Sequence, residues 1–181
     1  MIASTGISVG RSFFLALNYR CEMVIYCTRC WKENPAGSQV CQRCGAKLEA
    51  DTGNYVSKLL LALSHPEPMT VQRAAWILGE LRVTEAVEPL IRLLHTSQDM
   101  GSLESGVEAL GKIGDEQAVD VLSQLISFSY LSVRLNAVEA LRKIGGSSSL
   151  AALKKAQKDP ILSVSQEASK AVKALEPAKT D

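Results

Sequence analysis

The sequence predicts a mainly α protein: an α-solenoid of short helix pairs, preceded by a small cysteine module built on β-hairpin knuckles. Three observations carry that prediction. Apolar and small residues recur in columns every 31 or 32 positions between about residue 55 and residue 175. Within each unit those columns are spaced i, i+3, i+4, which is one buried face of a helix. Near the N-terminus, two Cys-x-x-Cys pairs stand ten residues apart.

Residues 1–22 match neither pattern. MIASTGISVGRSFFLALNYRCE holds one short apolar stretch, Phe13 to Leu17, bracketed by Arg11 and Arg20. That stretch falls short of a secretory core of about 7–15 residues, and no small-x-small cleavage site follows it. The segment reads as a disordered or non-native extension, with a targeting segment as the lesser alternative. Met23 marks the start of the cysteine module, residues 23–48.

YCTRC and CQRCGAKL place Cys27, Cys30, Cys41 and Cys44 on two knuckles. Four thiolates at this spacing suit one tetrahedral Zn2+ if each pair sits on a tight turn and a hairpin brings the turns together. Asn34-Pro35-Ala36-Gly37 supplies turn chemistry between them. Tyr26, Val40 and Leu48 are placed to give the few apolar contacts. A segment this short cannot fold on apolar burial alone, so a structural metal makes up the difference. A disulfide pair or a redox dithiol remains the alternative. Residues 23–48 resemble the small zinc-ribbon modules of many prokaryotic proteins, whose pattern is an aromatic, C-x-x-C-G, a turn, then C-x-x-C-G-x-x-L. The pattern breaks at Trp31, which replaces the first glycine and predicts a looser first turn.

EADTGN (49–54) reads as a linker, residues 55–176 as the solenoid and 177–181 as a tail. LGEL (78–81), LGKI (110–113), LRKI (141–144) and VKAL (172–175) define one helix register, A. Ala74, Gly106, Ala137 and Ala168 form its small column, expected where helices approach closely; Ile77, Ala109, Ala140 and Ala171 form the next. Val56, Val87, Val119 and Leu150, with Leu59, Leu90, Leu122 and Leu153, define a second register, B. The predicted segments are B 52–64, A 67–81, B 84–95, A 102–113, B 116–128, A 132–144, B 148–158 and A 162–175. Gly114 and Gly145 stand where left-handed C-caps are favoured. Thr84, Asp115 and Ser147–Ser149 stand where N-caps are favoured. Val83 falls in the glycine column of the first unit, so that turn is expected to differ. Helix pairs of this kind bury their stripes only by stacking on neighbours.

The period excludes tetratricopeptide and ankyrin repeats, which run at about 34 and 33 residues with motifs absent here. VRLNAVEALRKIG (133–145) and AVEPLIRLL (86–94) resemble instead the short HEAT-like repeats named after phycobilisome lyases. The resemblance implies a scaffold whose B helices line an inner surface, and it leaves function open. The di-iron hydroxylases among such solenoids need recurring His-Glu pairs. This chain has two histidines, His65 and His95, and neither forms one. HEAT-like DNA glycosylases need a basic, aromatic-lined face. Residues 52–181 carry 14 Lys and Arg against 15 Asp and Glu, with Trp76 as the one tryptophan there. A bilin-lyase-like or redox activity is a minor alternative.

The expectation is therefore a non-catalytic scaffold or adaptor that binds another protein. Its binding face is expected at Arg92, Gln124, Lys154, Lys155 and Lys158 on the B helices. The alternative is a nucleic-acid-associated protein that uses Arg29, Lys32, Arg43 and Lys47 on the ribbon. A net charge of +1 gives no bulk attraction to nucleic acid or anionic membrane. No apolar run approaches the roughly 18 residues of a membrane helix, so no membrane insertion is expected. Four ligand thiols with one further cysteine suit a reducing, cytoplasmic setting better than a disulfide framework.

Overall fold

The computed structural model describes residues 24–35, 37–48 and 54–176. The extension at 1–22, the linker residues 49–53 and the tail 177–181 lie outside these. The chain divides into two units, residues 1–49 and 50–181.

In the first unit, β1 (Val24–Tyr26) pairs antiparallel with β2 (Glu33–Pro35), Ile25 opposite Asn34. The connection is the first knuckle itself, closed by Trp31 N–H to Cys27 O at 2.8 Å and Cys27 N–H to Lys32 O at 3.0 Å. The second knuckle repeats this: Gly45 N–H meets Cys41 O at 2.9 Å, Cys41 N–H meets Ala46 O at 2.8 Å, and Val40 bridges Lys47. The turn expected over Asn34–Gly37 starts later. Asn34 and Pro35 lie in β2, and Ser38 N–H closes on Pro35 O at 3.1 Å. Tyr26 and Val40 are not interior residues, being 48% and 58% exposed, and Leu48 is half-buried. Among the described residues of this unit, the buried positions are Cys27, Cys41 and Asn34. An interior of thiols and one amide has little apolar area to hold it together.

The second unit is entirely helical among the described residues. Its elements are α1 (Tyr55–Ala62), α2 (Pro68–Glu80), α3 (Val87–Thr96), α4 (Met100–Ile113), α5 (Val119–Leu125), α6 (Leu131–Ile144), α7 (Gly146–Ala156) and α8 (Leu162–Leu175), with 3-10 turns at Thr84–Ala86 and Glu116–Ala118. The even helices pack side by side in series, and each odd helix packs on the even helix that follows it. This is the stacked-pair solenoid that the two registers predict. Leu78, Leu110 and Leu141 from one register and Leu90, Leu122 and Leu153 from the other are all fully buried. No helix among the described residues is long and apolar enough to cross a membrane.

Several helix ends differ from expectation for local reasons. Asn54, assigned to the linker, is the N-cap of α1 and accepts from Ser57 N–H at 2.9 Å. Asp115 accepts from Gln117 N–H at 2.9 Å, and Gly114 closes α4 in the left-handed region at φ 80°. Gly145 also has positive φ, 72°. After the first A helix, α2, the positive φ falls on Arg82, at 48°, and not on Val83. The reason is the 32-residue step between the first two A helices, which aligns Gly114 with residue 82. Thr84 opens a 3-10 turn whose N-cap, Val83, makes no side-chain capping bond. Ser147–Ser149 lie inside α7, which starts at Gly146 and has no side-chain cap.

The small columns divide the packing. A Cβ on Gly79 would lie 2.7 Å from Ala109 Cα, and one on Gly111 would lie 2.8 Å from Ala140 Cα. The even helices therefore approach each other backbone to backbone at the Ala109 and Ala140 column. Gly106, from the column expected to mark close approach, faces the Leu94 side chain of α3, 3.0 Å from where its Cβ would stand. Polar ties link two of the even helices, α2 and α6, to the loop entering the next even helix. Gln72 donates to Asp99 at 3.1 Å, and Arg134 pairs with Asp159 with both side chains largely buried.

Candidate metal centre and inter-helix groove

The two knuckles bring the ligand atoms of Cys27, Cys30, Cys41 and Cys44 within 4.8 Å of one another. Cys27 Sγ lies 3.6 Å from Cys44 Sγ, and Cys30 Sγ lies 3.5 Å from Cys41 Sγ. A regular tetrahedron with metal–sulfur bonds of about 2.3 Å has edges of about 3.8 Å, so the donor set fits one tetrahedral ion. Each short contact joins one knuckle to the other. None of the four is in a disulfide.

The thiols are electrostatically unequal. Burial pushes Cys41 up, but the N–H groups of Cys44 and Arg43 and the thiols of Cys30 and Cys44 bring it down to about 6. Burial also opposes ionisation of Cys27, and the N–H groups of Arg29 and Cys30 with the thiols of Cys44 and Cys30 outweigh it, leaving its pKa lowered. At Cys30 the Lys32 N–H favours the thiolate, yet burial and the thiols of Cys44, Cys41 and Cys27 push it up to about 12. Four thiolates crowded together repel unless a cation joins them, and a bound divalent ion deprotonates all four.

Asn34 is the residue of this centre that the sequence reading misses. It is 1% exposed. Its Nδ2 donates to Lys32 O at 2.7 Å and more weakly to Ile25 O at 3.5 Å, while its Oδ1 accepts from Gln42 N–H at 2.9 Å. One side chain thus joins the first hairpin to the second knuckle. The available signal was Asn-Pro two residues before a glycine, which reads as turn chemistry and conceals a buried amide.

On the helical unit, a groove of about 470 Å3 runs between α5 and α7. Gln124, Lys155 and Lys158 line it, with Asp120, Ser123 and Ser127. α5 on one side of the groove is short, ending at Leu125. Neither Lys155 nor Lys158 has an ion-pair partner among the described residues. The other two residues expected on the binding face, Arg92 and Lys154, do not line this groove. Arg92 pairs along α3 with Glu88 at 3.3 Å, and Lys154 pairs with Glu176 at 2.8 Å. On the ribbon, Arg29, Lys32, Arg43 and Lys47 are all exposed. His95 is exposed in the last turn of α3, half-buried His65 accepts from Glu67 N–H at 3.0 Å, and Trp76 is 53% exposed on α2.

Known proteins share the helical part. Over 55 residues the chain is 42% identical to the bilin biosynthesis protein PecE of Mastigocladus laminosus, a stretch covering 30% of this chain and 20% of that one. The chain thus matches about one fifth of that relative's length. The crystal structure of an engineered protein is similar at a TM-score of 0.55 with 25% identity, covering 68% of this chain and 63% of that one. A second engineered protein is similar in fold, at a TM-score of 0.52 with 22% identity over 67% of this chain and 64% of that one. The family model for HEAT repeats matches residues 56–129 and 104–173, which together span more than half of the sequence, and the chain belongs to the HEAT-repeat family.

Proposed function

We propose that this protein is a non-catalytic adaptor that binds an acidic segment of another protein in the α5–α7 groove, with the four-cysteine module as a structural zinc ribbon. One observation carries the binding face. Several charges on the even helices are satisfied within the chain: Lys112 with Glu80 and Glu108, Arg142 with Glu139, Lys170 with Glu167. Lys155 and Lys158 in the groove are not. Cations held without a partner beside a groove attract carboxylates and speed their encounter. Cysteine ligands kept as thiolates suit a reducing compartment, which favours a cytoplasmic setting.

The test is affinity purification from the native cell with wild type and with Lys155→Glu/Lys158→Glu in parallel, followed by titration of the captured protein's acidic segment. A protein held by wild type and lost by the double variant supports the reading. Equal capture by both overturns the groove assignment.

A second reading rests on Arg29, Lys32 and Arg43, which are exposed and have no ion-pair partner among the described residues. With Lys47 they give the ribbon a basic surface, and salt-sensitive binding of an oligonucleotide would favour it. The likeness to PecE supports a third reading, bilin handling. A bilin absorbance change on mixing with the protein would favour that reading.

A further inference from the structure

We infer that Asn34 is the positioning residue that holds the two knuckles in register for the metal, so that ligand geometry and affinity both depend on its side-chain amide. This rests on the zinc-ribbon reading of the four-cysteine cluster. The knuckles are covalently joined through residues 31–40, and among the described residues no backbone hydrogen bond crosses from one knuckle to the other. Each knuckle closes on itself, Trp31 N–H on Cys27 O and Gly45 N–H on Cys41 O. β1 pairs with β2 within the first hairpin, and Val40 pairs with Lys47 within the second. Those bonds fix each pair of thiols but not one pair against the other. The four-ligand set needs that second relationship, because its short sulfur contacts, Cys27 to Cys44 and Cys30 to Cys41, both cross between knuckles.

The Asn34 side chain spans the gap. It donates to Lys32 O, two residues beyond Cys30, and accepts from Gln42 N–H, the residue after Cys41. Both contacts are shielded from water, Asn34 being 1% exposed, so each is strong and costly to lose. Groups outside the ligand set that orient metal ligands typically contribute about 10–100-fold in affinity. The amide is needed at both ends. Aspartate has the same shape and still accepts from Gln42, but its second oxygen would face the Lys32 carbonyl without a proton to donate.

The experiment uses the full chain, stripped of metal under reducing conditions, as wild type, Asn34→Ala, Asn34→Asp and Tyr26→Phe. Zinc affinity is read by chelator competition, and the ligand field by the visible bands of the Co2+-saturated protein. Tyr26→Phe removes the 2.8 Å bond to Glu33 within the first hairpin and leaves the second knuckle untouched. Both Asn34 variants are expected to bind zinc about 10–100-fold more weakly than wild type. Their saturated Co2+ bands are expected to shift or lose intensity, and the Tyr26→Phe bands to overlay those of wild type. Wild-type affinity in both Asn34 variants overturns the inference. Weakened binding with unchanged Co2+ bands, as for Tyr26→Phe, also overturns it, because Asn34 would then only stabilise the hairpin. Wild type that takes up neither metal overturns the zinc reading itself and this inference with it, whereas failure in the Asn34 variants alone leaves the zinc reading standing.

Discussion

Trp31 and Gly45 occupy equivalent places in the two knuckles and share the left-handed backbone, at φ 56° and φ 68°. Each donates its N–H to the first cysteine of its own knuckle, at 2.8 and 2.9 Å. The first turn is therefore as tight as the second, although it lacks the glycine. A residue with a Cβ pays roughly 1–2 kcal/mol to adopt this conformation. At Gly45 a Cβ would meet nothing within 4 Å, so strain is the whole cost of adding one.

The same order, glycine above alanine, is expected at both positions. Gly45→Ala should weaken zinc binding about fivefold, the equivalent of about 1 kcal/mol of strain. At residue 31, Ala and Gly both lose the indole, but only Gly relieves the backbone. Trp31→Gly should therefore bind zinc more tightly than Trp31→Ala by a similar factor. Chelator competition measures all three variants. Binding by Trp31→Ala at least as tight as that of Trp31→Gly would refute the strain argument.

Metal removal should separate the two units. The helical unit buries its own leucine columns, while the described ribbon buries two thiols and an amide. Purified protein should hold about one zinc per chain. Stripping it should expose four reactive thiols and leave the helical circular dichroism nearly intact. Cys44→Ser should abolish stoichiometric zinc without lowering the melting temperature of the helices. A metal-free protein with a Cys27–Cys30 or Cys41–Cys44 disulfide would contradict this.

The two kinds of glycine in α4 should respond oppositely to alanine. At Gly111 the added methyl meets Ala140 Cα and Cβ, at 2.8 and 2.9 Å, so the neighbouring helix must move. Overpacking of this kind costs roughly 1–3 kcal/mol. At Gly106 the obstacle is the end of the Leu94 side chain at 3.0 Å, which can turn aside. Replacing a mid-helix glycine by alanine also contributes about 1 kcal/mol in helix propensity. Urea denaturation should show Gly111→Ala less stable than wild type and Gly106→Ala as stable or more so.

The repeat was legible because equal neighbours impose equal demands. Leu78, Leu110 and Leu141 meet the same surroundings in successive pairs, so the period survives in the sequence. The knuckle spacing was legible because four thiols that can meet around one ion admit few arrangements. What escaped depends on partners distant in sequence. Lys154 reads as a free cation on α7 until Glu176, beyond the end of α8, pairs with it. Asn34 reads as a turn residue because its partners are backbone atoms, which leave no residue-type signature. Arg82 was hidden by a single inserted residue, which moves the left-handed position away from Val83.

Asp99 gives the helical unit a pH-dependent contribution. It is the N-cap of α4 and accepts from Ser102 Oγ and Ser102 N–H, both at 2.8 Å. These bonds, with the Gln72 amide, outweigh burial and hold its carboxyl below the ordinary range. A folded pKa below the unfolded value of about 3.9 means that the stabilisation is complete above that value and is lost as pH falls through the folded pKa. Asp99→Ala should cost about 1 kcal/mol near neutrality. The gap from wild type should hold constant from pH 7 to about 5 and narrow below about 4. Asp99→Asn can still cap, and its stability should lack this acid-dependent component. A gap that widens on acidification would show the sign to be wrong.

Arg134 and Asp159 tie α6 to the loop before α8 with side chains only 11% and 6% exposed. Asp159 Oδ1 also accepts from Ile161 N–H at 2.9 Å, which sets the entry to α8. The pair is incompletely satisfied, since Arg134 Nε is buried without a hydrogen-bond partner. Asp159→Asn keeps the shape and the Ile161 bond but leaves a buried guanidinium without its counter-charge. Breaking a buried pair from one side costs about 3–5 kcal/mol, whereas replacing both partners by apolar groups can be nearly neutral. Asp159→Asn should therefore lower stability by several kcal/mol on that scale. Adding Arg134→Met should then restore a substantial part, because the methionine fills the space without a charge to satisfy. Urea denaturation of the two singles and the double gives the coupling directly. Additive losses would mean that the two charges stabilise the junction independently, and the buried pair would then have no energetic identity of its own.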